Sequence, residues 1–423
     1  MLKIFERELT WQYHFLSGIA RRCTAGSQFA KAESQSLDLS GKWDNTIFAA
    51  ADVNAYQDAN NVLAFSEVKG TKGSFVQDVD GNILLDLCGT ESQPLGHNHG
   101  ALIKHVNSKH WDQYVVNAAL DASRTSSGDF SSQAAALFRA LQPNPRLGGV
   151  RLTGSRSATE LAVIDAFRNR EGKSFALGFA GAYHGQGLAM SQFAHPQQSN
   201  NSLRWPALDS NQSDEQVLEQ VRSTINRDFA VVVLEPVNWQ NGRSFSDSLI
   251  SQIGDIAHEN EALLVVDETN TGAGATGRGF WAYNGDSADY VAFGKRTQAT
   301  GYYHDGHGVQ LGGSEHNVAL LEIINAEIKN GKLVEHVKNV GEYMHRTVKA
   351  SAEKSSRITS VNSAGTMLWI NTGSPKDAME LRDHLRRHGI LVKLNGMQGV
   401  VAKPALNLQE QHVSSLASAI AKF

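Results

Sequence analysis

The chain has 423 residues, with 39 Lys and Arg against 43 Asp and Glu and a formal net charge of −4. That balance speaks against a nucleic-acid or anionic-membrane surface, and no apolar run approaches the roughly 18 residues needed to span a bilayer. The only cysteines, Cys23 and Cys88, have no metal-type spacing, which excludes a disulfide scaffold and fits a reducing compartment.

The length allows two or three domains and ample buried core. Residues 1–60 read as an N-terminal segment, 61–315 as a large domain and 316–423 as a smaller C-terminal domain. The first 45 residues contain Arg7, Arg21, Arg22 and Lys31, faintly like a transit peptide. Glu6, Glu8 and Glu33 spoil the acid-poor signature, so the expected location is the cytoplasm, with the mitochondrial matrix as the alternative.

In chain order, GSFVQDVDGNILLDLCG reads as two short strands around the turn Asp80-Gly81-Asn82. His97 and His99 follow in LGHNHGALIKHV; with no supporting acid or cysteine cluster they read as structural or interface residues rather than metal ligands. A strand over 149–152 runs into Thr153-Gly154-Ser155 and then a helical pattern. Glycine lets the backbone approach a phosphate, and the amides and dipole of a helix start attract it, so Gly154 and Ser155 form a candidate phosphate cradle. Ser155 as a plain helix cap is the alternative. A further strand leads to Tyr183-His184-Gly185, and FAVVVLEPVNWQ forms a buried strand ending in Glu235-Pro236.

Residues 262–303 carry the most chemistry. One apolar run, 262–266, ends in Asp267; a second, 290–293, ends just before Lys295. Short β-branched runs bounded by Gly and Asp read as buried parallel strands, whose carboxyl ends are where open α/β sheets bind ligands. An acid and a lysine then reach one crevice. Pyridoxal phosphate needs that pair: a lysine for its Schiff base, and a carboxylate that keeps the pyridine nitrogen protonated. Singly, the two residues also read as a turn cap and a solvated charge. Gly272, Gly274 and Gly277 satisfy G-x-G-x-x-G after a strand, but a dinucleotide fingerprint must open a helix, and Asn284-Gly285-Asp286 breaks one; they read as a loop near the cofactor.

Beyond 314 the pattern turns to long helices, 317–328 and 333–352, then a strand at 366–371 and a helix at 375–388. Strands at 390–394 and 400–403 and a last helix from 408 complete an α+β tail.

The strings VVDETNTGAGATGRGFWAY and DYVAFGKRTQATG resemble the class III (ω-) aminotransferases, and within them lysine ε-aminotransferase and 4-aminobutyrate aminotransferase. The resemblance implies an α/β enzyme of PLP fold type I, with a mostly parallel sheet in the large domain, a small α+β C-terminal domain, and a homodimer with active sites between subunits. It implies that Asp267 faces the pyridine nitrogen, Lys295 is the Schiff-base lysine, Gly154 and Ser155 hold the phosphate, and Tyr183, followed by His184, stacks on the ring. Glu235 sits behind the cofactor in this pattern. Asn270 replaces a glutamine near the phenolic oxygen, and Gln310 falls near a threonine that reaches the neighbouring subunit's phosphate.

The substrate positions depart from the pattern. Gln186 stands where an arginine commonly grips the substrate carboxylate, and a neutral amide lacks that charged fork. Gln240 and Lys403 stand where relatives keep a switching glutamate–arginine pair. Some 4-aminobutyrate aminotransferases hold an iron–sulfur cluster near the phosphate loop; this chain has no cysteines there, and neither a cluster nor a metal is expected.

The expected function is transfer of a terminal amino group from an ω-amino acid or amine, 4-aminobutyrate- or lysine-like, to a 2-oxo acid such as 2-oxoglutarate, with pyridoxal phosphate as cofactor. Another PLP reaction, racemisation or decarboxylation, needs no dual carboxylate grip and is the alternative. A weakly active protein that kept only the fold is a third reading, opposed by the retained lysine and acid.

Overall fold

A computed structural model describes residues 66–78, 81–88, 92–108, 128–154, 157–185, 187, 189–193, 205–310, 315–396 and 398–423. The first strands are β1 (Ser66–Lys72), β2 (Phe75–Asp78) and β3 (Ile83–Asp86). Strands β2 and β3 form the expected antiparallel pair. The Asn82 amide donates to Asp78 Oδ1 at 2.8 Å. Asp80 lies outside the described residues. After β3, His97 Nε2 meets Asp86 Oδ2 at 2.7 Å, and His99 caps helix α1 (Gly100–Val106).

The central layer begins after α2 (Gly128–Ala140). It comprises β4 (Gly149–Leu152), α3 (Ala158–Arg168), β5 (Phe175–Phe179), β6 (Ala207–Leu208), α4 (Asp214–Thr224), β7 (Phe229–Leu234) and α5 (Asp247–Glu259). Then follow β8 (Leu263–Asp267), β9 (Tyr290–Phe293), β10 (Gly301–His304) and β11 (Gly308–Gln310). They build an eight-stranded sheet in the order β11-β4-β10-β9-β8-β7-β5-β6. Pairs β5–β7, β7–β8 and β8–β9 are parallel, while β10 runs against both of its neighbours.

Alternation explains why these strands are apolar throughout. Val232, Leu234, Leu264, Val266, Val291 and Phe293 pack into the core on one face. Their neighbours Val231, Val233, Leu263, Val265, Tyr290 and Ala292 pack into the core on the other. A sheet covered by helices on both sides leaves no polar face, so the period-two signal vanishes. Helix α5 supplies one cover: Ser246 caps it, accepting from the Leu249 amide at 3.0 Å, and Leu249, Ile250, Ile253, Ile256 and Ala257 form its buried stripe.

The remaining elements are α6 (Glu315–Asn330), α7 (Leu333–Ala352), β12 (Ile358–Ala364), β13 (Met367–Thr372), α8 (Pro375–Arg387), β14 (Ile390–Leu391), β15 (Lys393–Leu394), β16 (Gly399–Ala402) and α9 (Glu410–Ile420). Strands β12-β13-β16-β15 form a separate sheet. Its core takes Val340 and Met344 from α7, Leu381 and Leu385 from α8, and Leu416 and Ile420 from α9.

Two groupings differ from the sequence reading. The stretch 390–394, expected as one strand, divides at buried Val392. Its first half pairs in parallel with β3, its second antiparallel with β16, so it crosses between two sheets. Phe75, Leu85 and Leu87, which a boundary at 61 assigns to the large unit, pack in the C-terminal core. Parallel pairing of β3 with β14, some three hundred residues apart, carries no local signal.

The glycine loop after β8 runs as successive turns and opens no helix. Gly277 has φ 69°, and a Cβ there would sit 2.7 Å from the Lys338 backbone amide. The glycine lets this loop approach α7, a packing demand rather than a dinucleotide site.

Candidate active site

Parallel pairing sets Leu234 beside Val266 and Asp267 beside Ala292. Glu235, Asp267 and Lys295 therefore leave the sheet at the same end, with Tyr183 and His184 arriving on the loop after β5. Lys295 follows extended Gly294 and has φ 52° itself. A long side chain in the left-handed region is sparsely populated, and such backbone concentrates at functional sites.

The side chains form two hydrogen-bonded groups, and Glu235 feels the charges of both. Lys295 Nζ donates to Asn270 Oδ1. Asn270 Nδ2 donates to Glu235 Oε1 at 3.0 Å, and Glu235 Oε2 accepts from the Trp239 amide at 2.8 Å. Asp267 is shut off from water: Oδ1 accepts from the Thr269 amide and hydroxyl at 3.0 and 2.7 Å, and Oδ2 meets His184 Nδ1 at 2.8 Å. His184 Nε2 is buried with no hydrogen-bond partner among the described residues.

Electrostatics separate the acids. Burial pushes the Asp267 pKa up, but the hydrogen bond and charge of His184, with Thr269, outweigh it and hold the pKa below the usual carboxylate value. Burial lowers the His184 pKa, and the bond and charge of Asp267, helped by Glu235, more than reverse this. Glu235 is raised to about 7, first by burial and then by the Asp267 charge. Glu268, turned away from this cluster, is likewise raised to about 7 by burial; its Oε1 accepts the amides of Ala282 and Tyr283, each at 2.8 Å.

Beside them runs a ladder of cations and rings. Lys295 Nζ lies 5.6 Å from the Tyr183 ring centroid, Tyr183 and Trp239 lie 5.6 Å apart, and Lys403 Nζ lies 5.3 Å from Trp239. Gln240 folds over the preceding loop, where a Cβ on Gly181 would meet its Oε1 at 2.6 Å. Three side chains from the C-terminal sheet hold the backbone here. Trp369 Nε1 donates to the Trp239 carbonyl at 2.8 Å, Asn395 Nδ2 to that of Gln240, and Asn362 Nδ2 to that of Asn241 at 2.7 Å.

Of the residues singled out in the sequence, Tyr183, His184, Glu235, Asp267, Asn270 and Lys295 meet, with Lys403 and Gln240 alongside. Gly154 lies two residues past the end of β4, with φ 62°. Gln310 is exposed on the edge strand β11, three strands from β9, and joins none of these contacts. Ser155 and Gln186 lie outside the described residues. Sequence reasoning missed Trp239 and Thr269. An aromatic directly before Gln240, and a hydroxyl two residues after Asp267 where side chains bond back to a turn, were the available signals.

The donor set suits a phosphorylated pyridine aldehyde: a lysine amine, an ionised carboxylate and a Tyr183 ring that keeps 36% of its surface exposed beside them. Among solved structures, lysine aminotransferase from M. tuberculosis superposes with a TM-score of 0.77 at 20% identity, covering 89% of this chain and 98% of that one. The fold is that of the type I pyridoxal-phosphate enzymes.

Residues 56–423 match the family aminotransferase class-III. The chain is 25% identical to 4-aminobutyrate aminotransferase of Dictyostelium discoideum, over 86% of this chain and 85% of that one. It is 23% identical to the mitochondrial 4-aminobutyrate aminotransferase of Rattus norvegicus, over 92% and 93%. The protein belongs to the class-III aminotransferases, pyridoxal-phosphate-dependent enzymes that move amino groups.

Proposed function

We propose that this enzyme takes the terminal amino group of an ω-amino acid, of the 4-aminobutyrate or lysine type, and passes it to a 2-oxo acid. The observation that carries the reading is the gathering of the Lys295 amine, the Asp267 carboxylate and the exposed Tyr183 ring at one end of a parallel sheet, where Glu235 feels the charges of both Asp267 and Lys295. The named activities of the relatives support the donor class.

Pyridoxal phosphate, when bound, supplies the electron sink that stabilises charge on the substrate carbon. Lys295 Nζ would hold it and then carry the proton to and from that carbon, with Asn270 Oδ1 fixing the amine's direction. Asp267, kept ionised by His184 and Thr269, would keep the pyridine nitrogen charged. Tyr183 would stack on the ring, Gly154 and Ser155 would take the phosphate, and Gln310 would serve the neighbouring subunit of a homodimer. Lys403, with its ammonium against Trp239, would receive a distal carboxylate together with Gln240, and Gln186 is given the same role from its place in the sequence alone. Among the described residues no helix is long and apolar enough to cross a membrane, and the location read for the enzyme is the cytoplasm, with the mitochondrial matrix as the alternative.

The test is the visible absorption of the purified protein with cofactor, before and after a panel of ω-amino acids, with Lys295→Ala alongside. A cofactor band that 4-aminobutyrate or lysine converts, and that no amine converts in Lys295→Ala, is the expected result. A bound cofactor that no ω-amino acid alters would overturn the donor class. Release of carbon dioxide, or an inverted stereocentre without amino transfer, would give the enzyme a different reaction.

A further inference from the structure

Two consecutive residues at the reacting turn reach different parts of the molecule. Lys295 sends its amine to Asn270 and towards the Tyr183 ring. Arg296, next in the chain and only 2% exposed, reaches instead to the segment that follows β16. Its guanidinium nitrogen Nη2 donates to the Pro404 carbonyl at 2.9 Å and to the Lys403 carbonyl at 3.2 Å.

The turn that carries both side chains is itself held. Lys295 has φ 52°, the Gln298 amide donates to the Lys295 carbonyl at 2.9 Å, and the Thr297 hydroxyl, closed off from water, donates to the Ala299 carbonyl at 2.7 Å. A guanidinium on such a base acts as a strut, because what its donors hold is kept at one distance from Lys295. A charged donor also holds carbonyls more strongly than a neutral amide does.

What the strut holds is the backbone of Lys403. That backbone is gripped on its other side as well, where the Lys403 amide donates to the Leu87 carbonyl at 2.6 Å. The side chain, in a residue 4% exposed, lays its ammonium 5.3 Å from the Trp239 ring centroid. Trp239 is fixed in the same manner: its amide donates to Glu235 Oε2 at 2.8 Å, and its carbonyl accepts from Trp369 Nε1 at 2.8 Å. Cation and ring are thus anchored at the amide and the carbonyl of both residues. They can neither follow a short substrate nor retreat from a long one.

We propose that the enzyme reads the length of its donor against this fixed stop, and that Arg296 is the positioning residue that keeps the stop at its distance from Lys295. The inference rests on the reading of Lys403 as the receiver of the distal carboxylate. A donor whose amine meets Lys295 while its carboxylate meets Lys403 is held at both ends. One methylene more or fewer takes one end off its mark, and misplacing a reacting group by ~1 Å costs up to about 10²-fold.

The test is kcat/KM of the holoenzyme for 3-aminopropanoate, 4-aminobutyrate, 5-aminopentanoate and 6-aminohexanoate, with butylamine as the donor that lacks a distal charge. The wild type should favour one length over its neighbours by about tenfold or more. Arg296→Met should shrink that preference to about threefold or less and lower kcat/KM for the preferred acid relative to butylamine by about tenfold, chiefly through KM. Arg296→Lys, which still donates to carbonyls, should recover part of both. Amide hydrogen exchange over residues 400–408 should quicken in Arg296→Met, and less so in Arg296→Lys. Should Arg296→Met fail to fold, the wild-type length series and Arg296→Lys decide. A flat wild-type series, or a variant that keeps both the length preference and the ratio to butylamine, would overturn the inference and leave the donor class standing. So would an equal loss for the acids and butylamine, since Arg296 would then only support the fold. Turnover of none of the four acids would overturn the donor class itself, and this inference with it.

Discussion

The Asp267 carboxylate and the His184 imidazole meet at 2.8 Å with both side chains closed off from water. Neither charge has solvent to fall back on, so each depends on the other. Removing one partner of such a pair costs about 3–5 kcal/mol, because the survivor stays buried and unpaired. His184→Leu should therefore lower stability in thermal unfolding by that order and raise the Asp267 pKa. His184→Gln, which keeps a hydrogen-bond donor, should recover a good part of the loss. Equal stability of His184→Leu and wild type would mean that the pair contributes nothing.

Glu268 offers a pH test away from the cofactor. Its folded pKa is raised to about 7 by burial, against an ordinary 4.5, so the native state holds a proton that the unfolded chain has released. Stability from this group is full below about 4.5 and falls as pH rises towards 7, by up to about 3 kcal/mol. Glu268→Gln still accepts the Ala282 and Tyr283 amides through its carbonyl oxygen. It should flatten the fall in denaturant-measured stability between pH 5 and 8. Parallel curves for the two proteins would refute the assignment.

Asn270 holds Lys295 on one side and Glu235 on the other. Asn270→Ala should leave the fold intact yet lower kcat by about 10²-fold, the scale of a misdirected reacting group. The absorbance of the bound cofactor should shift with it. A variant within twofold of wild type in kcat would detach Asn270 from the reaction.

Lys403 and Trp239 make the fourth case. If the lysine receives the substrate's distal carboxylate, Lys403→Met should raise KM for an ω-amino acid by roughly 10- to 100-fold, the worth of one charged hydrogen bond. KM for a simple primary amine without that carboxylate should hardly move. A uniform rise for both donors would point to collapse of the Trp239 wall instead.

Much of this architecture was legible in the sequence. Val-rich runs that stop at Asp267 and just before Lys295 announce parallel strands, because only a doubly covered sheet tolerates unbroken apolarity, and the charge at each exit marks its carboxyl end. The pairing of Leu85 with Ile390 was not legible, since the two lie on distant stretches and each reads locally as any short apolar run. Trp239 escaped notice for a related reason: its value arises from Tyr183 and Lys403, which reach it from remote parts of the chain. Gln310, read beside cofactor residues by position alone, lies on the edge strand β11, three strands from β9.

The loop after Glu235 has its Trp239, Gln240 and Asn241 carbonyls tied to Trp369, Asn395 and Asn362. Gly242 makes that seam tight, for a Cβ there would lie 2.4 Å from the Trp369 ring. The amides of the same loop face the other way, that of Trp239 donating to Glu235 Oε2 at 2.8 Å and that of Gln240 to the Gly181 carbonyl at 3.1 Å. The two sheets are thereby riveted through one short loop, and a change that loosens the Trp369 side of the seam is transmitted to the Trp239 wall beside Lys295.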